Sequence, residues 1–104
     1  MTEQSWKRTE RRIAALLGGQ RAPITGRRGA DVAHPQLAIE VKHRKALPQW
    51  LQDSIAQAVA CAEAGQLPIV VLHEAGQRHG NDLAIMRLSD FTARLEDCDP
   101  ARLQ

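Results

Sequence analysis

Apolar residues recur at helical spacing near the start of the chain. In segment 5–18, Trp6, Ile13 and Leu17 fall on one face of a helix. Gly18-Gly19 follows directly, and glycine is the residue most often found just past a helix end. The pattern therefore predicts an amphipathic first helix.

A second helix is predicted where the same spacing returns after Pro48, a residue that suits a first helical turn. Gly65 closes this helix. Its apolar stripe comprises Leu51, Ile55, Ala58, Val59 and Ala62. A shorter helix is predicted further on, where Ser89 can cap a segment that runs through Phe91 and Leu95.

Strand patterns occupy four segments, 30–34, 37–43, 67–73 and 83–88. The first two flank Pro35-Gln36 and predict a hairpin. The third is almost wholly apolar, which is typical of a strand buried on both faces. The segment before the hairpin, 20–30, is a loop or a short edge strand. Helices and strands in this order predict an α/β fold with a mixed central sheet flanked by helices.

The predicted hairpin places two carboxylates together. Alternate side chains of a strand share a face. One face of the second strand is apolar and comprises Leu37, Ile39 and Val41. The other face comprises Ala38, Glu40 and Lys42. A hairpin that turns symmetrically about Pro35-Gln36 sets Asp31 directly opposite Glu40, on the same face of the sheet.

Two directly opposed carboxylates destabilise a sheet unless a cation compensates them. Mg²⁺ favours one or two carboxylates together with water and substrate phosphate oxygens. Lys42 stands beside Glu40 on the polar face and is suited to stabilise developing negative charge or to orient a water molecule. Asp31, Glu40 and Lys42 therefore predict metal-assisted hydrolysis of a phosphodiester.

Glu10 lies on the apolar stripe of the first helix, at helical spacing from Trp6 and Ile13. A carboxylate on the inward side of a helix needs a partner. One explanation is that Glu10 reaches solvent at the edge of the stripe or pairs with Arg21. The other is that Glu10 belongs to the metal site.

The acidic residue of the first helix, then Asp31, then Glu40-Val41-Lys42 on a hairpin resembles the motif of the PD-(D/E)XK nuclease superfamily. Within it, the chain is most similar to archaeal-type Holliday junction resolvases and their small phage relatives, over roughly residues 5–90. The resemblance implies an αβββαβ core. The resemblance also rests on segment 21–26, on Gly29-Ala30-Asp31-Val32 and on Gln57 in the second helix.

The resemblance implies a role for each matching residue. Asp31, Glu40 and the Val41 carbonyl would bind Mg²⁺, for which Mn²⁺ can substitute, and Glu10 would be an outer or additional ligand. Thr25 matches a loop hydroxyl that approaches the scissile phosphate, although the family commonly has serine there. The absence of proline before Asp31 is a second departure from the family motif. The polar Gln57 is a further match, and we group it with the DNA-binding residues.

Charge is unevenly distributed along the 104 residues, although the net charge is only +2. Residues 1–45 carry ten Lys and Arg against four Asp and Glu, whereas residues 46–104 carry four against eight. A basic half can present a positive surface to a polyanion, with ordinary surface charge as the alternative. The cations that flank the proposed site and would grip a DNA backbone are Arg27, Arg28, Arg44 and Lys45.

The length is that of one domain, so residues 1–104 are predicted to form a single nuclease domain. Cys61 and Cys98 lack metal-ligand spacing. The first residues are polar, and no apolar run approaches the ~20 residues of a membrane helix. We therefore expect a cytoplasmic protein with reduced thiols and no membrane partner.

The sequence predicts a Mg²⁺-dependent endonuclease that hydrolyses DNA, with a four-way junction as the favoured substrate. One alternative is another nuclease of this superfamily, acting on flaps or duplex in repair, restriction or phage genome processing. The other is a non-catalytic nucleic-acid-binding module. Resolving a junction needs two opposed cuts, so a homodimer is predicted. Its interface would use Trp50 and the apolar residues of segments 83–86 and 91–95.

Overall fold

The computed structural model describes residues 5–21 and 31–97. The chain divides into two compact units, residues 1–45 and 46–104. This boundary coincides with the change of charge along the sequence, because the first unit carries +6 and the second −4. Helices and antiparallel strands occur in both units, which confirms the predicted α/β class. That the whole chain acts as one domain stays a prediction.

Helix α1 spans Ser5–Leu17 and ends in a Schellman motif. Gly18 has a φ of 76°, a conformation that glycine adopts without a steric penalty. The N–H groups of Gly18 and Gly19 donate to carbonyls of the last turn at 3.4 and 2.8 Å. A Cβ on Gly19 would lie 2.4 Å from the carbonyl oxygen of Ala33. Gly18 is therefore suited to its positive φ, and Gly19 to the close approach of the Ala33 carbonyl.

Strand β1 (Gln20–Arg21) pairs antiparallel with strand β2 (Val32–Ala33). Val32 also forms an antiparallel bridge to Ile39, so a third segment lies along the other side of β2. Val32 is fully buried and belongs to the apolar core of this unit. That core, among the described residues, comprises Ala14, Leu17 and Val32.

In the second unit, helix α2 spans Gln49–Cys61 and helix α3 spans Leu88–Asp97. Strand β3 (Val70–Leu72) pairs antiparallel with strand β4 (Leu83–Ile85). A short 3₁₀ helix, His79–Asn81, precedes β4. Helix α2 packs against β3. The apolar stripe predicted for the second helix is its sheltered side, because its members are all half-buried: Leu51, Ile55, Ala58, Val59 and Ala62.

The sheet arrangement differs from the prediction in two respects. The described residues form two separate two-stranded antiparallel sheets, and no mixed sheet joins them. Within the described chain β3 pairs with β4 alone, and Val71 is 60% exposed, so this strand is not buried on both faces. The side of β3 that packs against α2 is half-buried and carries Val70 and Leu72. Among residues 5–21 and 31–97, no helix has the length and apolar character of a membrane span.

Candidate active site

The Asp31 and Glu40 segments meet through backbone hydrogen bonds. Val32 bridges Ile39, and the N–H of Asp31 donates to the Ile39 carbonyl at 2.8 Å. The N–H groups of Asp31 and Val32 both donate to the Ile39 carbonyl, at 2.8 and 3.4 Å, so the predicted position of Asp31 directly opposite Glu40 stays a prediction. Residues 37–42 also alternate between half-buried and exposed, which confirms the predicted faces of this segment. Regular strand pairing is shorter than predicted, because Ile39 makes a single bridge.

The Asp31 side chain ties the two segments together. Its Oδ2 accepts a hydrogen bond from the N–H of Val41 at 2.6 Å. Hydrogen bonds to a carboxylate are shorter and stronger than those between neutral groups. Asp31 is half-buried, so this bond is partly shielded from water. The carboxylate therefore has a fixed position beside the backbone of the Glu40-Val41-Lys42 triplet.

Glu40 and Lys42 form an ion pair on the exposed face. The Nζ of Lys42 lies 3.0 Å from Oε1 of Glu40, with the two side chains 64% and 69% exposed. Residues two apart in an extended segment share a face, so this contact follows from the predicted alternation. An ion pair this exposed contributes about 0–1 kcal/mol. Glu40 can therefore exchange Lys42 for another cation at little cost in stability.

Glu10 is the one charged residue among the buried residues that the structure describes. It lies on the inward face of α1, as predicted, and is 9% exposed. Its Oε2 accepts a hydrogen bond from the Nε of Arg21 at 2.7 Å. The guanidinium of Arg21 also lies 5.7 Å from the ring centre of Trp6, within the range of a cation–π contact. Pairing with Arg21, one of the two explanations for an inward Glu10, is confirmed.

An open cleft of about 310 Å³ lies between α1 and the triplet. The residues that line it are Trp6, Glu10, Val41, Lys42, His43 and Arg44. Thr9 and His43 join the two sides, with Oγ1 and Nδ1 2.7 Å apart. The helix that bears Glu10 and the segment that bears Lys42 therefore border a single cleft.

The acidic side chains supply oxygen donors, the kind that Mg²⁺ prefers, and Asp31 and Glu40 lie on two segments that are hydrogen-bonded to each other. The Asp31 and Glu40 carboxylates suit such an ion, and the Val41 carbonyl stays a predicted third ligand. Glu10 fits less well, because its carboxylate is bonded to Arg21. In the described residues one group of three histidine, cysteine or acidic side chains is close enough to share an ion, and it lies in the second unit. Glu10, Asp31 and Glu40 thus do not converge on one point.

The predicted DNA-binding residues are described only in part. Arg44 lines the cleft, and Lys45, the next residue along the chain, is exposed. Gln57 is exposed on α2, in the second unit. The remaining three, Thr25, Arg27 and Arg28, lie outside the described residues.

Two contacts at the cleft were not foreseen from the sequence, namely Trp6 with Arg21 and Thr9 with His43. The first left a signal, because Trp6 and Glu10 are one helical turn apart and can meet the same cation. The second joins residues 34 positions apart and left none.

No protein-family model, curated protein or solved structure matches the chain.

Proposed function

We propose that this chain is a Mg²⁺-dependent endonuclease of the PD-(D/E)XK type that hydrolyses DNA phosphodiesters. The observation that carries the proposal is the hydrogen bond from the Val41 N–H to Asp31, which joins that carboxylate to the triplet beside the cleft that Glu10 and Lys42 line. The order of elements also agrees with an αβββαβ core. α1, β1, β2, the Ile39 segment, α2 and β3 follow one another in that sequence.

Asp31, Glu40 and the Val41 carbonyl hold the metal in this proposal, and Mn²⁺ is a suitable replacement for Mg²⁺. When bound, the ion supplies positive charge beside the scissile phosphate and lowers the cost of deprotonating a water molecule. Glu40 would hold the ion in place of its exposed pair with Lys42. The Lys42 ammonium would then be free to stabilise negative charge on the phosphate.

Glu10 is proposed to act through Arg21 or by exchanging Arg21 for the metal. Its carboxylate borders the cleft that Lys42 also lines, so either role keeps it near the reaction. The side chains that would grip the DNA backbone are Thr25, Arg27, Arg28, Arg44, Lys45 and Gln57. The +6 charge of residues 1–45 supports a polyanionic substrate for this unit.

A four-way DNA junction is the proposed substrate, and the working form is proposed to be a two-fold homodimer. One site cuts one strand, and a symmetric pair supplies the second cut. Two apolar side chains assigned to the interface are indeed accessible, with Trp50 57% and Leu83 61% exposed. The junction substrate and the homodimer rest on the proposed chemistry and on the resemblance of the sequence motif to that of the resolvases.

One observation favours a second candidate, a nucleic-acid-binding module without cleavage activity. Glu10 and Glu40 each pair with a cation of the same chain, Arg21 and Lys42. Carboxylates neutralised in this way do not need a metal ion for stability. The basic first unit could then bind DNA through charge alone.

A cleavage assay separates the two candidates. The purified chain is incubated with matched four-way, flap and duplex DNA of the same sequence, with Mg²⁺ or with EDTA. We expect Mg²⁺-dependent cuts in the four-way substrate at positions related by its symmetry. Retardation of all three substrates in a gel with no cleavage of any would establish the binding module. Equal cleavage of all three would keep the nuclease and exclude the junction preference.

A further inference from the structure

The second unit contains a cluster of two histidines and one aspartate that the proposed nuclease does not use. Asp82 is central to it. Its Oδ1 lies 2.6 Å from Nδ1 of His73, and its Oδ2 lies 3.1 Å from Nδ1 of His79. The two imidazole rings are 4.4 Å apart between centres and tilted by 32°. One potential ligand atom from each residue lies within 4.8 Å of the others.

The strand pairing of this unit brings the three residues together. His73 directly follows β3 and Asp82 directly precedes β4, and the pair Leu72 with Leu83 closes the sheet beside them. His79 begins the 3₁₀ helix, and the N–H of Asp82 donates to its carbonyl at 3.0 Å. The backbone therefore holds the cluster at the end of the sheet, with two of its three members next to paired strand residues.

We propose that His73, His79 and Asp82 bind a divalent transition-metal ion of the Zn²⁺ class. Zinc takes imidazole nitrogen and carboxylate oxygen together, in sites with three protein ligands and one open position. Ligand atoms on an ion at about 2.0–2.1 Å lie roughly 3–3.5 Å apart. The contacts of Asp82 with His73 and His79, at 2.6 and 3.1 Å, are near this spacing, and all three ligand atoms lie within 4.8 Å of one another. Each imidazole would bind the metal through a nitrogen lone pair and carry its proton on the other ring nitrogen.

Burial and access fit such a site. The side chain of Asp82 is 13% exposed, whereas His73 and His79 are 37% and 85% exposed. A shielded carboxylate attracts a cation more strongly than one in water. The exposed histidine gives an entry path and room for water in the fourth position. Beside the cluster lies a cleft of about 370 Å³, lined by His73, Asp82, Glu74, Gln77 and Asn81 among others.

The ligand set also distinguishes this site from the first one. Imidazole nitrogens select zinc, copper, nickel and iron, whereas Mg²⁺ prefers oxygen donors. Zinc at His73, His79 and Asp82 is thus independent of Mg²⁺ at Asp31 and Glu40. Either site can exist without the other.

Titration calorimetry of the reduced 104-residue chain with zinc chloride tests the proposal. We expect one zinc ion per chain, bound at micromolar or lower concentration and not displaced by excess Mg²⁺. His79→Ala and Asp82→Asn should each weaken zinc binding by roughly tenfold or more. Two control variants should bind zinc like the wild type. They are His34→Asn, whose amide oxygen can still accept the turn N–H groups that His34 accepts, and Cys61→Ser, which removes an exposed thiol.

A second readout separates ligand loss from misfolding. Zinc should raise the thermal unfolding midpoint of the wild type, because it binds only the folded chain. It should leave the midpoint of His79→Ala unchanged, while the metal-free midpoints of the two proteins stay close, since His79 is largely exposed. The proposal is overturned if zinc does not bind the wild type, or if His79→Ala binds it equally well. Neither result bears on DNA cleavage, which is measured with Mg²⁺.

Discussion

The N–H of Val41 donates to Oδ2 of Asp31 at 2.6 Å. This bond joins one predicted metal ligand to the backbone of another, across two segments that otherwise meet at a single bridge. Asp31 is consequently a structural residue as well as a candidate ligand. Substitutions at this position must be tested for both properties.

Asp31→Asn should abolish Mg²⁺-dependent cleavage and lower stability slightly. The amide oxygen of asparagine still accepts the Val41 N–H, but a neutral acceptor is weaker by about 1 kcal/mol. If Asp31 faces Glu40 as the sequence predicts, relief of their repulsion offsets part of that loss. Cleavage of a four-way junction and urea unfolding measure the two effects. Asp53→Asn, an exposed aspartate on α2, is the matched control and should change neither. Wild-type turnover in Asp31→Asn would remove Asp31 from the site.

Glu40→Gln should also abolish cleavage, but with a loss of stability of at most about 1 kcal/mol. Its ion pair with Lys42 is exposed and contributes about 0–1 kcal/mol. Direct Mg²⁺ titration and junction cleavage are the measurements, and Glu63→Gln, another exposed glutamate, is the control. Undiminished Mg²⁺ binding by Glu40→Gln would show that Glu40 does not hold the ion.

Lys42→Ala should slow the cleavage step far more than it weakens DNA binding. A lysine that acts on the transition state contributes to the rate rather than to ground-state affinity. Single-turnover cleavage of fully bound junction gives the rate, and a gel shift gives the affinity. Lys45→Ala, its exposed neighbour, should show the reverse pattern. If Lys42→Ala loses affinity but keeps its single-turnover rate, then Lys42 is a phosphate anchor.

Arg21→Met should destabilise the fold by about 1–3 kcal/mol, because it leaves the buried Glu10 carboxylate without its partner. The double variant Glu10→Gln with Arg21→Met should recover part of that loss, since no unpaired charge then remains. A double-mutant cycle by urea unfolding measures the coupling. Additive effects would mean that the 2.7 Å contact contributes nothing to stability.

Gly19→Ala should destabilise the chain more than Gly18→Ala. Alanine at Gly18 meets no atom but must adopt a positive φ, at a cost of about 1–2 kcal/mol. Alanine at Gly19 would place its Cβ against the Ala33 carbonyl and push β2 away from the end of α1. Thermal unfolding of both variants provides the comparison. Strand β2 directly follows Asp31, so Gly19→Ala should also slow cleavage under conditions in which the variant is folded. Gly18→Ala should not slow cleavage.

The proposed homodimer predicts twice the formula mass in sedimentation equilibrium at micromolar concentration, both free and on four-way DNA. Leu83→Lys should shift the free protein toward monomer, because Leu83 is 61% exposed and assigned to the interface. Val71→Lys, exposed on the paired strand, tests how far that surface extends. DNA binding should weaken steeply as salt rises. A monomer under both conditions would leave a plain nuclease without junction resolution.

Local patterns predicted the positions of the helices and the pairing of Val32 with Ile39. Helical spacing located α1 and α2, and the Pro35-Gln36 turn fixed the pairing of Val32 with Ile39. Both depend on residues close together in sequence. The two-residue alternation then gave the exposed faces of Glu40 and Lys42 directly.

Contacts that depend on three-dimensional packing were harder to foresee. The apolar segment that contains β3 predicted a doubly buried strand, yet apolar character does not specify how many strands will pair with it. The cluster at Asp82 arises because β3 and β4 pair, which brings His73 and Asp82 together across a turn of eight residues. A lone histidine at the end of a strand gave no sign of that partner.

The sheet topology has a consequence for folding kinetics. Gln20 pairs with Ala33, and Val70 with Ile85, so each sheet joins strands that are close along the chain. Closing such short loops costs little entropy, and chains dominated by local contacts fold quickly. The strand pairing that positions Asp31 thus requires no partner from the C-terminal half, and it can form while that half of the chain is still being synthesised.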